Sequence, residues 1–528
     1  MPLSSYLDQI STKRKLIFAS VLFFIFLFFG FFLRTTGIPS GNILFLFDNG
    51  RDLLFVKKIV IDHHPILIGP SSGGLQGYFH GVLWYYLLSN PFFISHGNPI
   101  FITSFVAFLS LLSVALTFFI LNKVSGLSAA IIGSFLFTFS AFSVQTAKYP
   151  WNPYPVIWLM PLFFYSLFLA SKKNNLGIIL GAFLIGLFIH FEAIYGITLL
   201  PTFLILLIWS VKINPTSINR FKIFLGSLIA FGLPTVPTLL FDLRHNFLIT
   251  RSLLGAFTSG GASVTHKNSE VVLPIVSRFD LRFHDLINYT INSLTPNIWI
   301  NLFIFIVSVS ALIILIKQNK IDKFIFLVII STVTPVFLFP LLRYEVWSYY
   351  WIGTSPLFAI GVSYLIGKLD KLNQVALYPI GLICLVGILL FNPISSIKNW
   401  SRGNLPDIQT NLNTEMKIVN AVKNDAGTNP YSVYVSTPPV YDYVYRYLFW
   451  RESYLGNKNF PNDLKQKEVY VILEINQSGN YEDNYFLTKV VHTKQRPEEI
   501  LNTPYVKVLK IQTLPSEPPF DSSFIPVI

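Results

Sequence analysis

Long apolar runs without charged residues alternate with short polar stretches along most of the chain. A helix needs roughly 20 apolar residues to cross a bilayer, and the first run, between Lys15 and Arg34, has about that length. No small-residue cleavage site follows it, so we interpret this run as a retained anchor rather than a signal peptide. The pattern predicts a polytopic α-helical membrane protein with about eleven transmembrane helices, near residues 16–33, 98–121, 127–147, 154–170, 176–192, 194–211, 223–241, 298–316, 324–342, 350–367 and 373–391.

The charged residues predict an orientation for these spans. The positive-inside rule is satisfied by a cytoplasmic N-terminus, which gives every short inner connection at least one cation: Lys13, Arg14, Lys15, Lys123, Lys172, Lys173, Lys212, Arg220, Lys222, Lys317, Lys320, Lys323, Lys368 and Lys371. The two short spans around His190 and Glu192 can also be drawn as one kinked helix. Merging them inverts everything downstream and removes the charge bias, so we predict two separate spans.

Composition agrees with this interpretation. The 528 residues are 52% hydrophobic and only 12% charged, with a mean hydropathy of +0.56, whereas soluble domains carry about 25% charged residues. The clustering of cations in loops explains the net charge of +13 better than nucleic-acid binding does. Because Cys384 is the single cysteine, no intrachain disulfide can form. We therefore predict a multi-pass protein of the cell membrane with no nucleic-acid partner.

The predicted orientation places three larger segments on the outer side. Two of them are loops, residues 34–97 and 242–297, within a predicted transmembrane catalytic domain of residues 1–395. The third is the tail, residues 396–528, in which apolar and polar residues alternate in short runs. The runs that begin at Tyr431 and Glu468 predict strands, and apolar spacing predicts a helix over 413–424. The tail is therefore predicted to be a small extracytoplasmic α/β domain.

The first outer segment carries ionisable residues in two places. Asp48, Arg51 and Asp52 follow the first span directly, and His63 and His64 lie further along. A carboxylate held at the membrane surface can serve as a general base or a metal ligand. Asp is also a favoured N-cap residue, so the alternative for Asp48 is a cap on the helix that begins near the glycine two residues later.

Lys148, Trp151 and Asn152 lie in a proline-rich connection between two predicted spans. Three prolines within six residues end one helix and shape the start of the next. Trp151 either lines a site or belongs to the aromatic belt at the membrane interface, into which Tyr78, Trp84, Tyr85 and Tyr86 also fit. Both interpretations of Trp151 stay open at this point.

Further ionisable residues stand at the ends of two other apolar runs. These are His190 and Glu192 in one case and Arg244 and His245 in the other. Such groups are costly in lipid and usually face a cavity or a partner. The alternatives are that His190 and Glu192 satisfy each other or the turn between spans, and that Arg244 is an interfacial anchor. On the predicted topology all of these groups lie on the outer side, which suggests a reaction site there.

Four motifs together resemble a known family. They are Phe47-Asp48-Asn49-Gly50-Arg51-Asp52, Gly69-Pro70 with the run from His80 to Leu88, Trp151-Asn152-Pro153, and the run from Phe241 to Phe247. Their order and spacing, over most of residues 1–395, resemble the lipid-dependent GT-C membrane glycosyltransferases, in particular bacterial relatives of the dolichyl-phosphate-mannose–protein mannosyltransferases. Asn49 departs from the Asp-Glu pair of the protein mannosyltransferases. No Trp-Trp-Asp occurs, which argues against an oligosaccharyltransferase.

The resemblance implies an inverting hexosyltransferase of the cell envelope whose first-loop acid activates the acceptor hydroxyl. It implies a polyprenyl-phosphate sugar donor that arrives through the bilayer, and a glycan, lipid or protein as acceptor. The candidate catalytic residues are Asp48 and Asp52. The candidate substrate-binding residues are Arg51, His63, His64, Lys148, Trp151, Asn152, His190, Glu192, Arg244 and His245. The sequence shows no dense ligand cluster, so the need for a divalent metal stays open.

Two other functions compete with sugar transfer. A transporter or flippase for lipid-linked sugars needs polar residues along the spans near the membrane midplane, whereas the polar residues here stand toward one end of the spans. A non-catalytic scaffold that presents the tail is the other alternative. It does not explain the acidic and basic residues after the first span. We therefore predict a glycosyltransferase, with the transporter as the alternative.

Overall fold

The chain is mostly helical. A computed structural model of the protein describes residues 3–72, 76–213, 216–258, 273–295, 297–342, 345–372, 377–391, 393–402, 411–437, 442–456, 458–475 and 486–521. The helices are α1 (Leu3–Thr35), α2 (Phe47–Val60), α3 (Leu83–Ser95), α4 (Pro99–Ser125), α5 (Leu127–Phe139), α6 (Ala141–Gln145), α7 (Pro155–Ser171), α8 (Asn175–Phe191), α9 (Ala193–Thr198), α10 (Leu200–Ile213), α11 (Ser217–Gly232), α12 (Val236–Arg244), α13 (Leu248–Thr258), α14 (Ile275–Leu286), α15 (Ile298–Lys317), α16 (Lys323–Leu338), α17 (Thr354–Asp370), α18 (Leu377–Leu390), α19 (Pro393–Lys398), α20 (Leu412–Ala426) and α21 (Tyr443–Leu455).

The chain is a multi-pass membrane protein. Within the described ranges, six helices are long and apolar enough to cross a bilayer: Lys13–Thr35, Pro99–Ser125, Ser217–Arg244, Ile298–Lys317, Lys323–Leu341 and Ser348–Asp370. Five shorter apolar helices accompany them: Leu127–Phe139, Pro155–Ser171, Asn175–Phe191, Leu200–Lys212 and Leu377–Ile388. Each segment that the sequence predicts as a span overlaps one of these helices, and the number of eleven spans stays a prediction. Exposed Phe, Leu and Ile side chains cover many of them, as lipid contact requires.

The chain reverses direction at Glu192, which separates α8 from α9. Glu192 has an extended backbone, with φ −142° and ψ 94°. Beyond it, Gly196 packs against the backbone of Ile189, and a Cβ at Gly181 would lie 2.8 Å from a methyl group of Leu206. Because the contacts pair residues that lie progressively further from Glu192 on both sides, the two helical segments are antiparallel. The structure therefore has two antiparallel helical segments here rather than one kinked helix, and the crossing of the membrane by each segment stays a prediction.

The chain folds into two compact units. The helical unit comprises Met1–Thr35, Pro65–Leu87 and Ser104–Lys398, and the small unit comprises Thr36–His64, Leu88–Thr103 and Asn399–Ile528. The small unit therefore combines the tail with two stretches that belong to the first outer segment and its boundary.

A four-stranded sheet forms the centre of the small unit. Its strands are β1 (Tyr431–Ser436), β2 (Glu468–Glu474), β3 (Glu498–Asn502) and β4 (Val506–Gln512), in the order β1-β2-β4-β3. β1 and β2 are parallel, and the other two pairs are antiparallel. β2 is buried on both faces, because alternate residues pack into a core on one side while Tyr470 faces the other. The predicted strands at Tyr431 and Glu468 and the predicted helix are confirmed.

Helix α2 packs closely on α21 within the small unit. A Cβ on Gly50 would lie 2.5 Å from the backbone nitrogen of Val444. Only a glycine leaves room for the start of α21 at this point, so Gly50 fixes where the two helices approach. The acidic and basic residues near Gly50 therefore sit on a helix that tertiary contacts hold in place.

The prediction of an aromatic belt at Trp84 and Tyr85 is wrong. Both side chains are fully buried, whereas belt residues face the membrane–water interface. Large aromatic residues suit both environments, and composition alone does not distinguish them. These two rings contribute to the protein interior instead.

Candidate active site

Asp48, Arg51 and Asp52 form an ion cluster in the first two turns of α2. Nη1 of Arg51 lies 2.7 Å from Oδ1 of Asp48. Nε and Nη2 of Arg51 donate to Oδ1 of Asp52 at 3.0 and 2.8 Å. Asp52 is 1% exposed, whereas the Asp48 side chain keeps 17% of its surface exposed. Two carboxylates therefore share one cation, and Asp48 is the acid that solvent or a substrate can reach.

The start of α2 settles whether Asp48 is a helix cap. The helix begins at Phe47, so Asp48 is its second residue, and Leu46 occupies the N-cap position. Oδ1 of Asn49 accepts the backbone N–H of Leu46 at 2.9 Å, which closes the helix end. The N-cap alternative for Asp48 is therefore wrong, and Asn49 provides the side-chain hydrogen bond at this terminus.

Two opposing effects set the acidity of Asp48. Burial raises its pKa, because removal from water penalises the charged carboxylate. The charge of Arg51 and its hydrogen bond lower the pKa, but burial is the larger effect, so the pKa of Asp48 lies above its ordinary value. A carboxylate of raised pKa holds a proton more strongly, which is the property that a general base requires.

His63 and His64 do not join this cluster. Both side chains are exposed, and they follow the C-terminal end of α2. At 1.5 Å per residue, the length of α2 separates them from Asp48 by roughly 20 Å. The structure therefore gives these two histidines no shared role with Asp48.

Lys148 is a half-buried cation in the helical unit, in the connection between α6 and α7. Burial and the positive charge of Arg34 lower the pKa of Lys148 to about 8. Neither residue has a carboxylate partner in the part of the chain that the structure describes. This region is therefore electropositive and suited to an anion.

Arg34 is a residue that sequence reasoning missed as part of a site. It is fully buried, and its five N–H groups all donate to neutral oxygens: Ser110 Oγ at 3.1 Å, Gly30 O at 3.3 Å, Thr138 O at 3.0 Å, Phe137 O at 2.5 Å and Ser143 Oγ at 2.6 Å. The hydrogen bonds are complete, but no negative charge among the described residues cancels the guanidinium. An arginine at the end of an apolar run gives no sequence signal for this role.

Trp151 and Asn152 have different neighbours. Trp151 is half-buried, and its ring centroid lies 5.0 Å from that of Tyr349 in an edge-to-face arrangement. Asn152 is 4% exposed, and its amide donates to the carbonyl oxygen of Phe191 at 2.9 Å. The Trp151 ring therefore provides an aromatic surface. The hydrogen bond from Asn152 holds the connection between α6 and α7 against the end of α8.

His190 and Glu192 are buried but do not bond to each other in the described structure. Nε2 of His190 accepts the backbone N–H of Leu83 at 2.9 Å, so the proton of the neutral ring is on Nδ1. Oε1 of Glu192 accepts the backbone N–H of Ile194 at 3.3 Å, within the turn. Nδ1 of His190 and Oε2 of Glu192 have no hydrogen-bond partner among the described residues. The turn between the spans therefore provides a hydrogen bond to one carboxylate oxygen of Glu192, Oε1, but not to the other.

An aromatic cluster connects Glu192 with Trp151. Burial and the charge of Glu192 raise the pKa of Tyr78, and Tyr78 packs against the buried cluster that contains Tyr350. The rings of Tyr350 and Tyr349 are 4.7 Å apart, and Tyr349 contacts Trp151. The structure thus brings Trp151 and Glu192 to one aromatic surface in the helical unit.

Arg244 and His245 are exposed at the end of α12. The ring of His245 stacks on Phe241 at 3.9 Å, and its Nδ1 lies 2.8 Å from the Phe241 carbonyl oxygen. The neighbouring Asp242 is buried and accepts the backbone N–H of Ile249 at 2.6 Å at the start of α13. Asp242 therefore stabilises the turn between α12 and α13. The Arg244 side chain is exposed to solvent or lipid headgroups.

The small unit also contains a buried carboxylate, Glu415, and a half-buried one, Glu474, that sequence reasoning missed. Burial raises the pKa of Glu474 to about 7, and the hydroxyl of Tyr445 donates to Glu474 at 2.9 Å. Glu415 is 2% exposed, and burial together with the charge of Glu474 raises its pKa well above the ordinary value. Among the described residues, no group of three His, Cys, Asp or Glu side chains could hold a metal ion.

No protein-family model matches the chain, and no curated protein sequence matches it. The fold is similar to that of ArnT from Cupriavidus metallidurans bound to undecaprenyl phosphate, with a TM-score of 0.54 and 11% identity over 93% of this chain and 97% of that one. The apo state of the same ArnT gives a TM-score of 0.53 and 10% identity over 95% of this chain and 98% of that one. The likeness to an oligosaccharyltransferase from Archaeoglobus fulgidus is lower, at 0.47 with 12% identity over 87% of this chain and 69% of that one. The predicted fold class, a GT-C-like helical membrane protein with a small C-terminal α/β domain, is confirmed by the likeness to ArnT, and the chain has the GT-C fold.

Proposed function

We propose that this protein is a membrane glycosyltransferase that moves a sugar from a polyprenyl-phosphate donor to an acceptor hydroxyl. The observation that carries the proposal is the cluster at the start of α2, where burial raises the pKa of Asp48 while the carboxylate stays partly exposed. The GT-C fold shared with ArnT, a protein with undecaprenyl phosphate bound in its structure, supports a lipid-linked donor.

In the proposed reaction, Asp48 is the general base of an inverting transfer. The acceptor oxygen attacks the anomeric carbon and its proton passes to Asp48, while the bond from that carbon to the phosphate oxygen breaks. The electron pair of the broken bond stays on the lipid phosphate. Arg51 and Asp52 hold Asp48 in position, because Arg51 bridges the two carboxylates. A well-placed base of this kind contributes roughly 10²–10⁴-fold to the rate.

The helical unit supplies the groups proposed to bind the donor. Lys148, next to the uncompensated charge of Arg34, would bind the phosphate and stabilise its developing charge. The aromatic surface around Trp151 would face the sugar, and Glu192 would accept a hydrogen bond from a sugar hydroxyl. Arg244 is retained as a second phosphate ligand because it is an exposed cation at the end of a span.

The proposed orientation follows the cation pattern. The N-terminus is cytoplasmic, and both the first-loop cluster and the small α/β domain lie outside the cell membrane. Acceptors at that face are glycans, lipids or proteins, and the sugar is a hexose, as in the mannosyltransferase-like enzymes that the sequence resembles. A divalent metal is not assigned.

Sugar transfer by the purified protein tests the assignment of Asp48. Liposomes would contain polyprenyl-phosphate mannose or glucose, with cell-envelope glycans as acceptors and release of polyprenyl phosphate as the readout. We expect Asp48→Asn to lose roughly 10²–10⁴-fold in turnover because Asn cannot take a proton, while the thermal unfolding midpoint changes little. Near-normal turnover by Asp48→Asn would remove it from the mechanism, and movement of the intact donor across the bilayer without transfer would favour a transporter.

The phosphate assignment is tested on the same liposomes. We expect Lys148→Ala to raise the KM for the donor more than the KM for the acceptor, because only the donor carries the lipid phosphate. The pKa of about 8 for Lys148 predicts that the wild-type donor KM rises above pH 8, where the ammonium loses its proton. Lys222→Ala is the matched control, since Lys222 is exposed on α11. An unchanged donor KM in Lys148→Ala would contradict the assignment.

A further inference from the structure

The small unit contains an open cavity that the proposed chemistry does not use. Its volume is about 430 Å³, within the range of small-molecule sites. Aromatic residues from several parts of the tail line it, among them Tyr434, Trp450 and Phe460. The C-terminal half of α2 provides another wall through Leu54 and Lys58. The lining thus combines flat apolar faces with charged groups.

The charged groups of the cavity are largely balanced. Arg446 donates to both carboxylate oxygens of Asp442 at 2.7 and 2.8 Å. Lys57 lies 2.7 Å from Asp62. Within the part of the chain that the structure describes, these pairs leave one cation, Lys58, and one carboxylate, Asp463, without an ion-pair partner in the lining.

This combination fits a saccharide better than an anion. A phosphate or sulfate group favours several unpaired cations, and the described lining offers only Lys58. Sugar hydroxyls both donate and accept hydrogen bonds, so they can use Lys58 as a donor and Asp463 as an acceptor. The apolar face of a sugar ring can pack on Phe460, which lines the cavity and is 39% exposed, as other apolar groups pack on aromatic rings. Trp450 already stacks on Phe92 and Tyr454 and contributes to the wall.

The cavity and Asp48 lie along the same helix, α2. Arg51, Leu54 and Lys58 are spaced three and four residues apart, so they lie on one face of the helix. Arg51 holds Asp48 at one end of this face, and Leu54 and Lys58 line the cavity at the other. The distance along the helix from Asp48 to Lys58 is roughly 15 Å. A rigid helix therefore connects the proposed base with the cavity.

We propose that this cavity is an acceptor subsite that binds an uncharged part of a glycan acceptor, away from the hydroxyl that receives the sugar. The inference rests on the proposed function for its role, but binding itself does not depend on catalysis. It narrows the acceptor from glycan, lipid or protein to a molecule with a saccharide portion. The subsite would select acceptors by length and by the absence of charge at this position.

Binding of defined disaccharides to the full-length protein in nanodiscs tests the proposal. Maltose, cellobiose, mannobiose and chitobiose serve as uncharged probes, and a disaccharide with a uronic acid serves as the charged one, with saturation-transfer NMR and calorimetry as readouts. We expect at least one uncharged probe to bind, and Phe460→Ala to weaken it roughly threefold to tenfold through loss of one stacking ring. Leu464→Ala is the matched control, because Leu464 is 77% exposed and does not line the cavity.

Two further variants separate this inference from the proposed function. Lys58→Ala should weaken the same probe, whereas Lys417→Ala, at an exposed position on α20, should not. Asp48→Asn should bind the probe like the wild type, because the base is not part of the cavity. Failure of every uncharged probe, a preference for the uronic acid, or binding that the two cavity variants leave unchanged would overturn the subsite. Absence of sugar transfer by the wild-type protein, together with intact probe binding, would instead count against the proposed reaction.

Discussion

At the scale of single residues, the pair Asp48–Arg51 carries two effects of opposite sign on one pKa. Burial raises the pKa of Asp48, and Arg51 lowers it through its charge and a hydrogen bond at 2.7 Å. Removal of the cation leaves burial unopposed, so the pKa of Asp48 must rise further. A base acts only when deprotonated, and activity therefore falls as the pH drops through its pKa.

The loss of the Arg51 charge in Arg51→Gln should therefore raise the pKa of Asp48. We expect the acidic limb of the kcat/KM profile of this variant to move to higher pH than in the wild type, while the activity at high pH falls less than it does in Asp48→Asn. The measurement is sugar transfer in liposomes between about pH 5 and pH 9, a range that spans ordinary and raised carboxylate pKa values. Lys510→Gln, which removes a cation from Asp425, a carboxylate of the small unit that does not line the cavity, is the control. An acidic limb that stays in place in Arg51→Gln would show that Asp48 does not govern the pH dependence.

Single residues also show where the sequence was informative and where it was not. The sequence predicted an ionisable cluster after the first span because charged residues are conspicuous next to apolar runs. It did not distinguish the base candidate Asp48 from a helix cap, because both roles use an acid near a helix start. The structure distinguishes the two roles, because the side chain of Asn49, not that of Asp48, accepts the backbone N–H of Leu46 at the helix end. Arg34 was missed because its partners are backbone carbonyls and hydroxyls far along the chain.

At the scale of elements, α2 depends on Gly50. An alanine in a helix interior is usually more stable than a glycine by about 1 kcal/mol. At Gly50, however, the added methyl group would lie 2.5 Å from the backbone nitrogen of Val444. Backbone cannot move aside as a side chain can, and such overpacking typically costs about 1–3 kcal/mol. The steric cost therefore exceeds the gain in helix propensity.

We accordingly expect Gly50→Ala to lower the thermal unfolding midpoint of the protein and to reduce transfer, because α2 must shift and Asp48 moves with it. Gly226→Ala is the matched control on α11, where the nearest atom to the new Cβ lies 3.8 Å away. That variant should keep or slightly raise the midpoint. Differential scanning fluorimetry in detergent provides the comparison, and an equal response of the two variants would contradict the close packing of α2 on α21.

The elements differ in how far the sequence predicts them. The membrane helices were predictable because a spanning helix needs only a long uncharged run, whatever it packs against. β1, β2 and α20 were predictable from local alternation and helical spacing. No local pattern indicated that residues of the first outer segment fold with the tail in the small unit. Contacts between residues several hundred positions apart leave no periodic pattern in either segment.

At the scale of the whole molecule, orientation is the prediction on which the proposed reaction site depends. Every short connection assigned to the inside carries a cation, and the segments with acids and histidines alternate with these connections. Ser217 begins α11 between Lys212 and Arg220, so we assign it to the cytoplasmic side. Ser72, in the first outer segment, and Ser436, at the end of β1, are assigned to the outer side.

Cysteine labelling in intact bacterial cells measures this orientation. Cys384 is buried, and its replacement by alanine gives a background without a native thiol. In that background we expect Ser72→Cys and Ser436→Cys to react with a membrane-impermeant maleimide from outside, because their segments are on the outer side. Ser217→Cys should react only after the membrane is permeabilised, since flanking cations keep its connection in the cytoplasm. Reaction of Ser72→Cys and Ser217→Cys from the same side would contradict the topology, and Asp48 and Lys148 would then lose their shared outer location even if each variant lowered activity.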